Sequence, residues 1–143
     1  MKKIKNIALV AHNNMKNDLY EWVDFNKKVL INHNIISTGG TGSIIKNIIN
    51  DIKILKNGSL GGEQQLGAMI SNDEIDILIF FTDSLQAQSN DVDIKAMLRI
   101  AVLYNIPTAC NRSTADFLIS SSLFDAEYHQ VLKDFSNYIK RKI

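Results

Sequence analysis

Residues Lys53–Asp83 read KILKNGSLGGEQQLGAMISNDEIDILIFFTD, a short apolar segment, a glycine-rich turn bearing one carboxylate, a helical run, and a strand that leads to a second carboxylate. Within it, Asp76–Phe81 is almost entirely branched or aromatic and shows no polar–apolar alternation. A continuous apolar run of that length is the pattern of a central strand buried on both faces of a parallel sheet. In open parallel sheets ligands bind at the carboxyl ends of the strands, which puts Glu63 and Asp83 at the candidate site.

The rest of the chain repeats the same unit on either side. Ile4–Ala11 is an apolar strand that stops at His12-Asn13-Asn14, and Met15–Ile31 places Leu19, Trp22, Val23, Val29 and Leu30 at helical spacing. A second strand, Asn34–Ser37, ends in Thr38-Gly39-Gly40-Thr41-Gly42 before a brief helix over Ser43–Ile49. Ile52–Leu55 reads as the third strand and Gln64–Ser71 as a helix. After the fourth strand comes a polar segment from Thr82 to Asp91, long enough to be a working loop. Helical spacing resumes over Val92–Leu103, Asn105-Ile106-Pro107 ends that helix, and Thr108–Cys110 is the last strand. Ser113-Thr114-Ala115-Asp116 has the form of a capping box for a helix over Thr114–Ser121. An amphipathic helix is expected over Asp125–Lys142, with Tyr128, Leu132, Phe135 and Ile139 on one side. Alternation of strands and helices predicts a three-layer α/β/α arrangement around a mainly parallel five-stranded sheet.

Composition narrows the function classes. A chain of 143 residues holds one domain with a sizeable core, so residues 1–143 are expected to form a single unit. With 16 Lys and Arg against 15 Asp and Glu, no net field favours nucleic acid or a membrane surface, and the basic ends Lys2, Lys3, Lys5 and Lys140, Arg141, Lys142 read as solvated. Cys110 is the only cysteine, which excludes a disulfide framework or zinc cluster within one chain. No apolar run approaches the ~18 residues of a spanning helix, and no continuous signal-peptide core follows Met1, so a cytoplasmic location is expected. No His/Cys/Asp spacing suggests a metal site.

Two glycine turns and a few titratable residues carry the possible chemistry. Thr38–Gly42 joins a strand to a helix, where free N–H groups and hydroxyls suit an anion; it lacks the lysine of a Walker loop and the spacing of a dinucleotide fingerprint, and a plain turn is the competing account. Asn57–Glu63 has the same character. A carboxylate there is either a helix cap or, turned inward, a proton-abstracting base. His12 ends the first strand, where an orienting or catalytic imidazole would lie, whereas His33 and His129 read as surface residues. Asp83 and Asp93 flank the working loop; Asp93 fits equally well as a first-turn helix acid. Asp83 faces no acidic pair after the first strand, which argues against a phospho-acceptor receiver domain built on similar topology.

Taken together, Ile7–His12, Lys16, Thr38–Gly42, Gly61–Gln65, Gly67-Ala68, Ile75–Phe81 with Asp83 and Leu85, Asp93–Arg99, Asn105–Pro107 and Thr114–Phe117 resemble the methylglyoxal synthase family, in order over essentially the whole chain. The resemblance implies a carbon–oxygen lyase that converts dihydroxyacetone phosphate to methylglyoxal and inorganic phosphate through an enediolate, without metal or organic cofactor. It implies Glu63 as the base, His12 against the substrate oxygens, Asp83 and Asp93 as supporting acids, and Asn90 in the catalytic loop. Lys16, Thr38, Gly40, Thr41, Asn57 and Gly58 would line the phosphate pocket. A homohexamer is also implied, with Lys142 reaching a neighbour's phosphate site.

Two departures from the family pattern bear on rate. Glu63 stands where the family carries Asp, which moves the carboxylate by roughly 1–1.5 Å, and a displacement near 1 Å costs about 10²-fold. Asn90 stands where the family carries a histidine, and an amide can hydrogen-bond but cannot carry a proton between oxygens. Milder changes are Asn13 for an acid, Gly40 for a hydroxyl, Asn57 for serine and Lys142 for arginine. The alternative expectation is therefore a catalytically impaired homologue that binds a phosphorylated metabolite or regulates.

Overall fold

The structure, a computed structural model, describes residues 1–143. Its strands are β1 (Asn6–Ala11), β2 (Asn34–Ser37), β3 (Ile52–Ile54), β4 (Ile77–Phe81) and β5 (Thr108–Ala109). They form one all-parallel sheet in the order β3-β2-β1-β4-β5. The helices are α1 (Lys16–Leu30), α2 (Gly39–Ile45), α3 (Gly62–Ser71), α4 (Asp91–Leu103), α5 (Arg112–Ser120) and a single turn α6 (Ser136–Ile139).

Every residue of β4 is buried, and the pleat divides them between two cores. Ile77, Ile79 and Phe81 join Ile7, Leu9 and Ala11 of β1 against Leu19, Trp22 and Val23 of α1, Ile45 of α2 and Ala115 of α5. Leu78 and Phe80 join Ala8 and Val10 against Leu66 and Ile70 of α3 and Ile94, Met97 and Ala101 of α4. The expected three layers follow, with α1, α2 and α5 on one face and α3 and α4 on the other. The edge strands are only two and three residues long, which leaves little unpaired ladder for another chain to join.

Leu78 lies at 0% exposure in the middle of β4. Removing its side chain leaves a cavity between sheet and helices that close packing cannot collapse, so Leu78→Ala is expected to lower unfolding stability by about 2–5 kcal/mol in a denaturant titration. A loss below about 1 kcal/mol would contradict the doubly covered strand.

Both helices of the second layer end in the same motif. Asn105 and Asp73 adopt left-handed φ of 54° and 63°. After α4 the Asn105 and Ile106 N–H groups bond to the carbonyls of Val102 and Ala101; after α3 those of Asp73 and Glu74 bond to Ile70 and Met69.

Four expectations need correction. The second helix begins at Gly39 and ends at Ile45, so it starts inside the glycine run and not after it. The helix after β5 is capped by Asn111, whose side chain accepts the Thr114 N–H at 2.9 Å, and not by a Ser113–Asp116 box. Asp116 instead accepts the buried indole N–H of Trp22 at 2.8 Å, joining α5 to α1. The amphipathic helix over Asp125–Lys142 is absent apart from α6. Its backbone is recruited elsewhere: the Tyr128 N–H bonds to the Met1 carbonyl, the Ala126 carbonyl accepts from Lys5 Nζ, and the Val131 carbonyl accepts from Asn105. His33 is buried and not on the surface, with Nδ1 accepting from the Lys5 N–H at 3.0 Å and Nε2 2.8 Å from Asp125 Oδ1.

Candidate active site

The strand order reverses direction at β1. From there the chain first crosses outward to β2 and β3, then returns to place β4 on the other side of β1. Loops after β1 and β4 must therefore diverge and leave a crevice at their carboxyl ends. A cavity of about 350 Å³ opens there. Fourteen residues line it, and only Ala11 is apolar, a composition suited to a small polar ligand.

Of the residues singled out in the sequence, His12, Lys16, Thr38, Gly40, Thr41, Asn57, Gly58, Glu63 and Asn90 all meet in this cavity. Asp83, Asp93 and Lys142 do not line it. Asn13, Ser59, Gln88 and Ser89 do, in addition. Ser59 belongs to the second glycine turn, and Gln88 and Ser89 to the loop before α4. Their segments were legible as functional, but hydroxyl and amide residues in a polar loop give no individual signal.

Glu63 occupies the first turn of α3 yet makes no capping bond. Its side chain faces inward, the residue is 3% exposed, and Oε2 is buried without a hydrogen-bond partner. That orientation is the one required of a base and the opposite of that required of a cap. Gly58 sets its surroundings: a Cβ there would lie 2.5 and 2.8 Å from the two Glu63 oxygens and 2.9 Å from Asn90 Nδ2. Only glycine leaves room for carboxylate and amide to approach the same point of backbone.

His12 is held by main chain. The Asp83 N–H donates to Nδ1 at 2.7 Å, and the His12 N–H donates to the Phe81 carbonyl at 3.2 Å. A ring nitrogen that accepts carries no proton, so the neutral imidazole has its hydrogen on Nε2. Nε2 is the second buried polar atom without a partner, and the ring packs edge-on against Phe80 at 4.9 Å between centroids. Buried polar groups are almost always satisfied. These two are the only buried side-chain nitrogen or oxygen atoms left without a partner, and both belong to residues lining one cavity.

The opposite wall suits an anion. Lys16 Nζ is anchored on Asn13 Oδ1 at 2.7 Å and lies so close over α2 that a Cβ at Gly40 would stand 2.5 Å from it. The N–H groups of Gly40 and Thr41, in the first turn of α2, have no acceptor within the helix. The Thr41 hydroxyl itself is tied to β1, donating to the Ala11 carbonyl at 3.2 Å and lying 3.3 Å from the Ala11 N–H that it accepts. It therefore fixes α2 against the end of β1, beside the cavity.

The acids outside the cavity support its walls. Asp83 accepts from the Leu85 N–H at 3.0 Å and from Asn14 Nδ2 at 2.9 Å. The Leu85 N–H first, then the Asn14 amide, with the His12 ring also near, hold its carboxyl below the usual carboxylate range. Asp93 accepts from Gln64 Nε2 at 2.8 Å, joining the first turns of α3 and α4 beside Glu63. Desolvation by neighbouring atoms pushes the thiol of Cys110, an exposed residue, up and away from the thiolate form a nucleophile needs.

Comparisons with known proteins bear on the family to which the chain belongs. The family described as MGS-like domain matches residues 18–110. The chain is 50% identical to the methylglyoxal synthase of Maridesulfovibrio salexigens over the full length of both. It is also 50% identical to that of Coxiella burnetii, over 98% of this chain and 99% of the relative. The crystal structure of methylglyoxal synthase from Elizabethkingia anophelis superposes with a TM-score of 0.94 at 44% identity, covering 100% of this chain and 95% of that one.

Proposed function

The chain belongs to the methylglyoxal synthase family, and we propose that its cavity converts dihydroxyacetone phosphate to methylglyoxal and inorganic phosphate. The observation that carries this proposal is the pair of unpartnered buried atoms, Glu63 Oε2 and His12 Nε2, on residues lining one anion-suited cavity. Their desolvation is unrepaid until a ligand supplies a proton for one and an oxygen for the other.

In this scheme Lys16, with the N–H groups of α2 and the side chains of Thr38 and Asn57, holds the phosphate. Glu63 removes a proton from the hydroxymethyl carbon. His12 donates from Nε2 to the carbonyl oxygen as negative charge develops there, which stabilises the enediolate. The hydroxyl proton on the deprotonated carbon passes by way of His12 Nε2 to the former carbonyl oxygen, and the electrons left on the deprotonated carbon's oxygen move through the carbon chain and break the bond to phosphate. Phosphate leaves, and the enol that remains takes on its methylene carbon the proton that Glu63 removed and gives up its hydroxyl proton, becoming the ketoaldehyde. Every step uses side chains or N–H groups of this chain, and none calls on a metal or organic cofactor. Asn90, close to Gly58 and the Glu63 carboxylate, donates to a substrate oxygen but moves no proton.

A cytoplasmic location and a homohexamer belong to the same proposal. No helix is long and apolar enough to cross a membrane. Lys142 lies outside its own chain's cavity, as a residue serving a neighbour's would.

The test is purified protein with dihydroxyacetone phosphate, following methylglyoxal and phosphate together. Equal formation of both is expected. Restoring an imidazole with Asn90→His is expected to raise kcat by about 10-fold or more, because proton transfer between oxygens is worth about 10²–10⁴-fold. Unchanged turnover would show that this loop position does not limit the rate. If neither product forms while inorganic phosphate raises Tm, the protein is a binder of phosphorylated metabolites, the outcome that the amide at Asn90 favours.

A further inference from the structure

Outside the cavity, one side chain uses both of its N–H groups to join the two loops that build it. β1 runs on into the turn Asn13–Met15 and α1, whereas β4 runs on into the 82–90 loop. Asn14, exposed and not part of the cavity lining, donates from Nδ2 to Asp83 Oδ2 at 2.9 Å and to Gln86 Oε1 at 2.9 Å. A carboxylate only accepts, so it is the Asn14 nitrogen and not its oxygen that faces Asp83. The other Asp83 oxygen takes the Leu85 N–H, and the Asp83 N–H holds His12 Nδ1. Farther along, Gln88 Nε2 donates to the Gln86 carbonyl at 3.2 Å and the Gln88 N–H to Asp91 Oδ2 at 2.9 Å. The chain of bonds runs from Asn14 to His12 in one direction and, in the other, to the cavity residue Gln88, which Ser89 and Asn90 follow in the same loop.

We propose that Asn14 is a positioning residue for the proton-transfer steps: its amide clamps the 82–90 loop to the end of β1, setting how His12 presents Nε2 and how far Asn90 enters the cavity. The proposal rests on the enzymatic role given to this cavity above. Both bonds are exposed, and exposed hydrogen bonds are exchanged for water at little net cost, so the clamp adds little to global stability. Geometry is where it acts, because a shift near 1 Å in a reacting group costs about 10²-fold. An acid at position 14 would turn an acceptor toward Asp83 and drive the two loops apart.

The experiment compares Asn14→Ala and Asn14→Asp with the parent, full chain in each case. Both variants are expected to lose about 10-fold or more in kcat, with KM for dihydroxyacetone phosphate and affinity for inorganic phosphate held within about 2-fold. Tm should move by less than about 3 °C. Nitrogen NMR of labelled histidine should show one Nε2–H tautomer for His12 in the parent and a mixture in the variants. Unchanged kcat in both variants, a loss of kcat that tracks Tm, or a loss carried by KM and phosphate affinity would each overturn the clamp. A parent protein without turnover would remove the enzymatic role itself, and the tautomer comparison would still decide whether Asn14 holds His12.

Discussion

Glu63→Gln is expected to lower kcat by roughly 10³–10⁴-fold while leaving Tm unchanged or higher. Glutamine has nearly the shape of glutamate, so the packing of α3 against the sheet is preserved and only the ability to take a proton is lost. The direction of the stability change follows from burial. Oε2 of Glu63 has no partner in the cavity, and a desolvated charge without a partner costs several kcal/mol. Removing that charge relieves the fold at the expense of the chemistry, the usual trade at an active site. Exchange of the hydroxymethyl protons of dihydroxyacetone phosphate with deuterated water, followed by NMR, isolates the first step, and it should disappear with the product. A variant that exchanges and turns over at the parental rate would remove Glu63 from the mechanism. One that is inactive and also destabilised by several kcal/mol would show that the carboxylate is structural.

How much of this was legible in the sequence depends on whether neighbours in the chain or in space set the conformation. β4 announced itself because five successive apolar residues can be satisfied only by cover on both faces, and β2 fell on its expected limits, Asn34–Ser37. α1 was equally plain, since Leu19, Trp22, Val23 and Leu30 keep helical spacing and all are buried. The segment after α5 carried comparable spacing, yet only Ser136–Ile139 is helical, because carbonyls at Ala126 and Val131 and the N–H at Tyr128 are taken by residues far away in the chain. Periodicity reports which side chains are apolar and is silent about competitors for the backbone. His33 failed as a surface residue for a similar reason: its ring is held from both sides, by the Lys5 N–H and by Asp125, neither of them near it in sequence.

The site divides along the same line. Glycine turns and a histidine at a strand end pointed to the cavity and to nine of its lining residues, because loop position at the carboxyl end of a parallel sheet is a topological consequence. Orientation was not accessible. Whether Glu63 capped α3 or faced inward turned on a single side-chain torsion, and whether the Thr41 hydroxyl met a ligand or β1 depended on the distance between two elements. Asp83 and Asp93 were recognised as belonging to the site region, but their carboxylates hold Asn14, Leu85 and Gln64 in place and stand outside the cavity.

His12→Gln is expected to lower kcat by about 10²–10³-fold, and proton exchange should fall in the same proportion as product formation. The bond from the Asp83 N–H to Nδ1 leaves the neutral ring one proton, on Nε2, an atom unpartnered at the cavity. An imidazole N–H against the substrate carbonyl stabilises charge as it forms, so the enolisation step itself depends on it. With Asn90 unable to carry a proton, the transfer between substrate oxygens falls to His12, whose Nε2 lies at the cavity. Glutamine keeps a donor but not that ability, and it leaves the Asp83 N–H without its ring acceptor. Proton exchange that persists while product formation falls would confine His12 to the later steps, phosphate expulsion or ketonisation. Parental exchange and parental turnover together would mean that the unpartnered Nε2 is incidental to the reaction.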